Sequence, residues 1–400
     1  MSDLYWDPFT PELRDDPYPL WKRMRDEAPV WHNDRYDFWA LTRFHDIEAA
    51  NKDHETYVSS HGTTVETMAD EPHLDTGMII WTDPPKHTRL RKLVSRAFTA
   101  KRVSSLEERM REVCAELLDP HVGEEQFDYV QDFSAILPPT MISMLLGVPE
   151  GDRDYCRKVV DDIFHIEEGA VGMVNDVSMN ALIEINRYLA EQFEDRKRNP
   201  RDDMFTDLLH AEIVDDDGTT RRLSDSELTE FVTVLFSAGT ETVARHLGWS
   251  IDLLDRHPDQ RAELAADPAL VANAVEESLR YEPPSPVNAR FTTRDVTLHD
   301  VTIPAGSKVV LVTGAAGRDE RMYPDPDTFD IHRDFDLHMT LGYGIHFCLG
   351  AALARMEGRI GVEETLKRWP EWTVDREHAV PLYTSTVRGY LELPIAPVAA

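Results

Sequence analysis

Cys348 stands between two glycine-rich turns in Leu341-Gly-Tyr-Gly-Ile-His-Phe-Cys-Leu-Gly350, and a helical run follows from Ala351 to Arg359. Glycines 342, 344 and 350 are expected to take positive φ and to let the backbone approach a partner closely. The helix after the cysteine aims its free amides and the positive end of its dipole back at the sulfur. That setting favours a thiolate, the form that binds metal. A tight loop of this kind can supply an axial sulfur ligand to a haem iron.

A second stretch with chemical potential is Ala238-Gly-Thr-Glu-Thr242, inside an otherwise apolar helical run. A glycine and consecutive polar residues in mid-helix are costly by propensity alone. A threonine hydroxyl bonded to the carbonyl four residues earlier can open the helix locally, into a groove suited to dioxygen and a water. Glu277 and Arg280, three apart, share one helix face and can pair. His87 and Arg91, four apart, share another.

These residues need elements to hold them. Ser224 and Glu227 form a capping-box pattern that opens a long helix running to about Arg256, apolar on nearly every face and therefore expected to be central. Helical patterning also covers residues 45–51, 86–96, 104–118, 133–146, 151–164, 176–198 and 268–281. Strand signals lie at 30–42, around an Asn-Asp turn, and at 287–310, 374–375 and 390–395. Residues 59–80 are polar and irregular, the usual composition of a lid or binding loop, with a shorter loop at 167–173 and a turn at 215–220. No internal repeat or low-complexity linker interrupts the chain. The expectation is one mainly α domain over residues 1–400 with a minor β region.

The net charge of −32 disfavours nucleic acid and anionic membrane surfaces as partners. Against that background, residues 86–102 carry seven Lys or Arg (86, 89, 91, 92, 96, 101, 102) and no acid, a basic island fit for an acidic partner. Three cysteines (114, 156, 348) argue against a disulfide framework and for a reducing compartment, with Cys114 and Cys156 expected in the core. No apolar run approaches the length of a membrane span, and the N-terminus lacks a signal-peptide pattern, so a cytoplasmic protein is expected.

With its motifs in this order, the chain resembles the cytochrome P-450 family of haem-thiolate monooxygenases. Gly344, His346, Cys348 and Gly350 match the family's cysteine signature, whereas Leu341 stands where phenylalanine is usual. Ala238, Gly239, Glu241 and Thr242 match its oxygen-activating helix motif, and Glu277, Arg280 and Arg333 its structural triad. Gly317 replaces a usual asparagine. The resemblance spans essentially the whole chain and implies a single domain with haem b between the long helix and the cysteine-loop helix.

The resemblance further implies Cys348 as the iron ligand, and His87, Arg91, Arg290 and His346 on the haem propionates. It casts Thr242 and Glu241 as the proton relay. By the same analogy Ile79, Ile80, Val234, Leu235, Val287 and Thr384 line a pocket for a lipophilic fatty acid, terpenoid, steroid or macrolide. One oxygen atom from O2 would enter the substrate by hydroxylation or epoxidation. The chain carries no flavin or iron–sulfur motif, so electrons would come from a separate ferredoxin and its reductase. The basic island, with Arg355 and Arg359, would be the docking face. A peroxide-driven enzyme would not need the Glu241–Thr242 pair, and a haem sensor would need neither that pair nor a long lid loop.

Overall fold

Ser224 caps the helix on which the rest of the molecule is packed. Its hydroxyl accepts the Glu227 amide at 3.2 Å, and the Glu227 carboxylate accepts the Ser224 amide at 2.9 Å. The two bonds satisfy donors that the first turn leaves free. The helix then runs unbroken over Asp225–Arg256 in a computed structural model that describes residues 4–10, 16–74, 76–164, 175–214, 218–334, 337–384 and 386–398. Its apolar faces are almost wholly buried, from Phe231 to Leu254, as the all-round pattern predicts.

Helices Leu137–Leu146, Asp176–Arg198, Val271–Tyr281 and Ala351–Arg368 pack against this central rod. The last crosses it closely. A Cβ on Gly361 would lie 2.7 Å from the Leu247 side chain, so the glycine sets the spacing between the two helices that face each other around the site. Cys114 and Cys156 are fully buried in the helical core, as expected.

The β region lies to one side. Strands Val30–Asn33 and Phe38–Leu41 form the expected hairpin, Lys308–Leu311 adds to it in parallel, and Asn288–Thr292 and Tyr57–Val58 complete a five-stranded sheet. Val310 pairs with both Ala40 and Ala289, tying the N-terminal hairpin to the strand that carries Arg290. Smaller sheets include the Val380–Tyr383/Arg388–Glu392 pair.

Among the short helices not anticipated are Met204–His210 and Pro258–Ala266. The first hangs on a single Asp203 cap that accepts the Thr206 amide at 2.9 Å. The second opens at the same proline that ends the central helix, since a proline is tolerated in a first turn. Residues 167–173 and half of the 215–220 turn lie outside the described residues. No described helix is long and apolar enough to cross a membrane.

The Gly317 departure has a local cause. Its carbonyl accepts Arg280 Nη1 at 2.7 Å, and a Cβ on it would lie 2.6 Å from the Arg280 carbonyl oxygen. Restoring the usual residue, Gly317→Asn, is therefore expected to cost about 1–3 kcal/mol by overpacking. A urea midpoint equal to that of the parent would contradict this.

Candidate active site

A largely apolar cavity lies between the central helix and the cysteine loop. Ala238, Gly239 and Thr242 form one wall and Cys348, Leu349, Gly350, Leu353 and Ala354 the opposite one. Ala238 is exposed although the helix around it is buried, because it faces this space.

The cysteine loop is built largely as its glycines require. Gly342 and Gly344 take φ of +74° and +70°, and a Cβ on Gly344 would meet the Asn51 carbonyl oxygen at 2.5 Å. Gly350 corrects the sequence reading: its φ is −82°, and a Cβ there would meet no protein atom. It caps the following helix and leaves the cavity wall open beside the sulfur. The Cys348 amide donates to the Leu341 carbonyl at 2.8 Å, closing the loop, while the Leu341 side chain packs on the helical core. Burial pushes the Cys348 thiol up, against the Gly350 amide and the charges of Arg91 and Arg355, which pull it down. The expected thiolate-favouring groups are thus present, set against the cost of desolvation.

Basic side chains gather at one edge of the cavity. His87 and His346 lie with ring centroids 4.3 Å apart, and His346 Nε2 meets the Ser59 hydroxyl at 3.2 Å. Arg91 lines the cavity, and Arg290 reaches Asn51 Oδ1 at 3.3 Å and the Ala289 carbonyl at 2.8 Å. Among the described residues neither arginine has a carboxylate within ion-pair distance, and His87 Nδ1 is buried without a partner. Burial, reinforced by Arg91, lowers His87 to about 4, and burial lowers Arg290 to about 10. Burial favours neutral rings at His87 and His346, so the positive charge at this edge is that of Arg91 and Arg290, with the Asp83 carboxylate close enough to favour the charged form of Arg290. Anions from outside the chain would complete the balance. The two carboxylates of a porphyrin would meet that need, and the largely apolar walls suit its faces, so the residues fit the group.

The central helix treats its two polar residues differently. Thr242 lines the cavity, and its hydroxyl donates to the Ala238 carbonyl at 3.0 Å, the back-bond that the sequence predicts, although the helix stays continuous there. Glu241 does not line the cavity. Its Oε1 accepts Arg245 Nε at 2.9 Å and Nη2 at 2.7 Å, and Arg245 Nη1 also donates to the Tyr390 carbonyl.

Of the expected pocket residues, Ile79, Ile80, Val234 and Leu235 line the cavity, and two do not. Val287 is buried in the aromatic cluster of Trp6, Tyr18 and Trp21. Thr384 is used up inside its own turn, accepting the Val387 amide at 2.7 Å. Phe98, Ile142 and Val243 line the cavity unanticipated. So does Glu357, whose carboxyl burial holds well above its usual range. Helical spacing from Gly350 through Leu353, Ala354 and Glu357 was the signal that could have found the last.

The buried triad is assembled as the motif implies. Glu277 accepts Arg280 at 2.6 and 2.7 Å and Arg333 at 3.1 Å. The two arginines also donate to carbonyls of residues 317, 324, 325, 326 and 328. The docking-face expectation is altered, because Arg355 is paired with Glu276 and Arg359 with Glu107 and Glu363, while Arg91 faces the cavity.

The family model for cytochrome P450 matches residues 27–392. The chain belongs to the cytochrome P450 family. It is 37% identical over 397 residues to putative cytochrome P450 123 of Mycobacterium tuberculosis, covering 98% of this chain and 97% of that protein. It is also 37% identical to the vitamin D(3) 25-hydroxylase of Pseudonocardia autotrophica, over 97% of this chain and 96% of that protein. The crystal structure of CYP109E1 from Bacillus megaterium in complex with corticosterone superposes with a TM-score of 0.85 at 30% identity, over 96% of this chain and 99% of that one. This P450 is therefore a haem b monooxygenase with the family's mainly helical fold and smaller β part.

Proposed function

We propose that this P450 oxygenates a steroid-sized lipophile with electrons from a ferredoxin and its reductase, in the cytoplasm. In this reading the Cys348 sulfur would hold the iron, His87, Arg91, Arg290 and His346 would hold the propionates, and Ala238, Gly239 and Gly350 would leave room for the group. The haem supplies oxygen activation and the transfer of one oxygen atom when bound. The chain's own work is to seat the substrate, exclude water and deliver protons. Ile79, Ile80, Val234, Leu235 and Val243 offer an apolar surface that orients a lipophile and leaves its reacting carbon free of polar contacts. The Thr242 hydroxyl can turn from the Ala238 carbonyl, give its proton into the cavity and take another on its oxygen from a water, while Glu241, freed from Arg245, could re-supply that water only after itself taking up a proton from solvent.

The observation that carries the reading is the cavity that has the cysteine sulfur on one wall and the Thr242 hydroxyl on the other, with His87, Arg91 and His346 at its edge. Steroid size is favoured by the apolar lining together with the two relatives above whose names or complexes involve vitamin D(3) and corticosterone. Reduced protein under carbon monoxide should give the red-shifted Soret band of a thiolate-bound haem, and its absence would overturn the ligand assignment. In a screen of steroids, terpenoids, fatty acids and macrolides, the steroids should give the largest low-to-high-spin shift. A response to macrolides alone would overturn the substrate class.

A further inference from the structure

The open side of the cavity is bounded by Ile79 and Ile80, and Ile80 keeps 38% of its surface exposed. The residues just before them are fastened to the central helix at one point. Glu230 Oε2 accepts the Thr76 hydroxyl at 2.8 Å and the Gly77 amide at 2.7 Å, while its Oε1 accepts the Ser226 hydroxyl at 2.9 Å. Bonds to an ionised carboxylate are about twice as strong as neutral ones. The Thr76 oxygen in turn accepts the Met78 amide at 3.0 Å, which carries the constraint to the residue beside Ile79.

Gly77 makes the fastening possible. A Cβ at that position would lie 2.4 Å from the Glu227 carbonyl oxygen, so only glycine lets the strand lie flat on the opening turns of the helix. Thr76 and Gly77 are both buried there, within a loop that is otherwise polar and largely accessible. Before these residues the loop is tied elsewhere, by the Ala69 amide on the His61 carbonyl at 2.8 Å, the His73 amide on the Ser60 carbonyl at 2.7 Å and Lys86 on the Leu74 carbonyl at 3.1 Å. After them the Met78 and Ile79 carbonyls accept Trp81 and Thr82 within the same short turn.

We propose that Glu230 is a positioning residue that sets the width of the cavity mouth, by latching residues 76–80 to the helix that carries Thr242. The inference rests on reading the cavity as the chamber that substrate enters. Because Glu230 and Thr242 sit on one continuous helix, the rim and the proton-handling hydroxyl keep a fixed relation while the loop can detach. Entry then requires breaking two hydrogen bonds at a single carboxylate rather than melting the whole loop.

The test compares the haem-loaded parent with Glu230→Ala and Glu230→Gln. Two readouts are used: hydrogen exchange at the Gly77 amide and the association rate of imidazole, a small iron ligand that must pass the mouth. Glu230→Ala should speed Gly77 exchange about ten- to a hundred-fold, the loss expected for hydrogen bonds to a charged group. It should also raise the imidazole association rate about three-fold or more, as for other gated sites. Glu230→Gln retains an acceptor oxygen but not the charge and should fall between Glu230→Ala and the parent in both. The reduced carbon monoxide spectrum should be unchanged throughout. Unaltered Gly77 exchange in Glu230→Ala would overturn the latch, and faster exchange with unaltered imidazole association would overturn its control of the mouth. Failure of the substrate reading would show separately, as the absence of any spin shift with lipophiles while the imidazole rates still report the latch.

Discussion

Glu277→Ala should leave the chain without a stable haem-binding fold. Glu277 and Arg280 are fully buried and Arg333 nearly so, and the single carboxylate pairs with both guanidinium groups. Removing it strands two cations in the interior. Breaking a buried pair costs about 3–5 kcal/mol, because the remaining charge has lost its solvent and gained nothing. Set against a typical total of about 5–15 kcal/mol, that is a large share of the stability. The damage would spread, because Glu277 Oε1 also accepts the Asp330 amide at 2.9 Å and both arginines gather the carbonyls of residues 324–328. That segment leads into the cysteine loop. Glu277→Gln keeps an acceptor and should sit between Ala and the parent. An exposed pair supplies the control: Arg23–Glu27 is solvent-facing, and Glu27→Ala should leave the urea midpoint essentially where it is. The measurements are the urea midpoint and the ratio of Soret to protein absorbance. A Glu277→Ala protein that retains both would remove the triad from the stability of this fold.

Much of this architecture is legible in the sequence. The central helix could be read because its signals agree, with a capping box at Ser224, apolar residues on every face and no proline before Pro258. The 176–198 helix was equally legible. The helices at 204–210 and 258–266 were hidden because each is short and its ends depend on a single capping or proline residue. Within the site, local motifs were legible where chemistry and chain order coincide, as at Cys348, Thr242 and the His87–Arg91 pair. Side-chain direction was not. Val287 and Thr384 sit near the expected positions in sequence, yet one packs into the N-terminal aromatic cluster and the other folds back on its own turn. The negative φ foreseen nowhere at Gly350 follows from its place as the first residue before a helix, a tertiary consequence of the loop closing on Leu341. Glu230 escaped notice because its partners lie in a loop more than 150 positions earlier, and no local pattern links them.

The orientation of Glu241 divides the two residues of the helix motif into separable experiments. Thr242→Ala removes a hydroxyl whose back-bond to Ala238 contributes little to helix stability, so the urea midpoint should hardly move. What it should change is the fate of the electrons. With no hydroxyl on the cavity wall to pass protons, more hydrogen peroxide should be released per NAD(P)H consumed, and product per NAD(P)H should fall about ten-fold or more. Thr242→Ser keeps the oxygen and should restore most of the coupling, which a purely structural role for the side chain would not predict. Glu241→Gln acts first on the fold. Arg245 is buried, its guanidinium rests on the Glu241 carboxylate and the Tyr390 carbonyl, and losing the charge should cost about 3–5 kcal/mol. If Glu241 also feeds protons to Thr242, this variant should show a larger solvent isotope effect on turnover than the parent. Unchanged coupling in Thr242→Ala would take Thr242 out of the relay. An unchanged isotope effect in Glu241→Gln would reduce Glu241 to an ion-pair partner of Arg245.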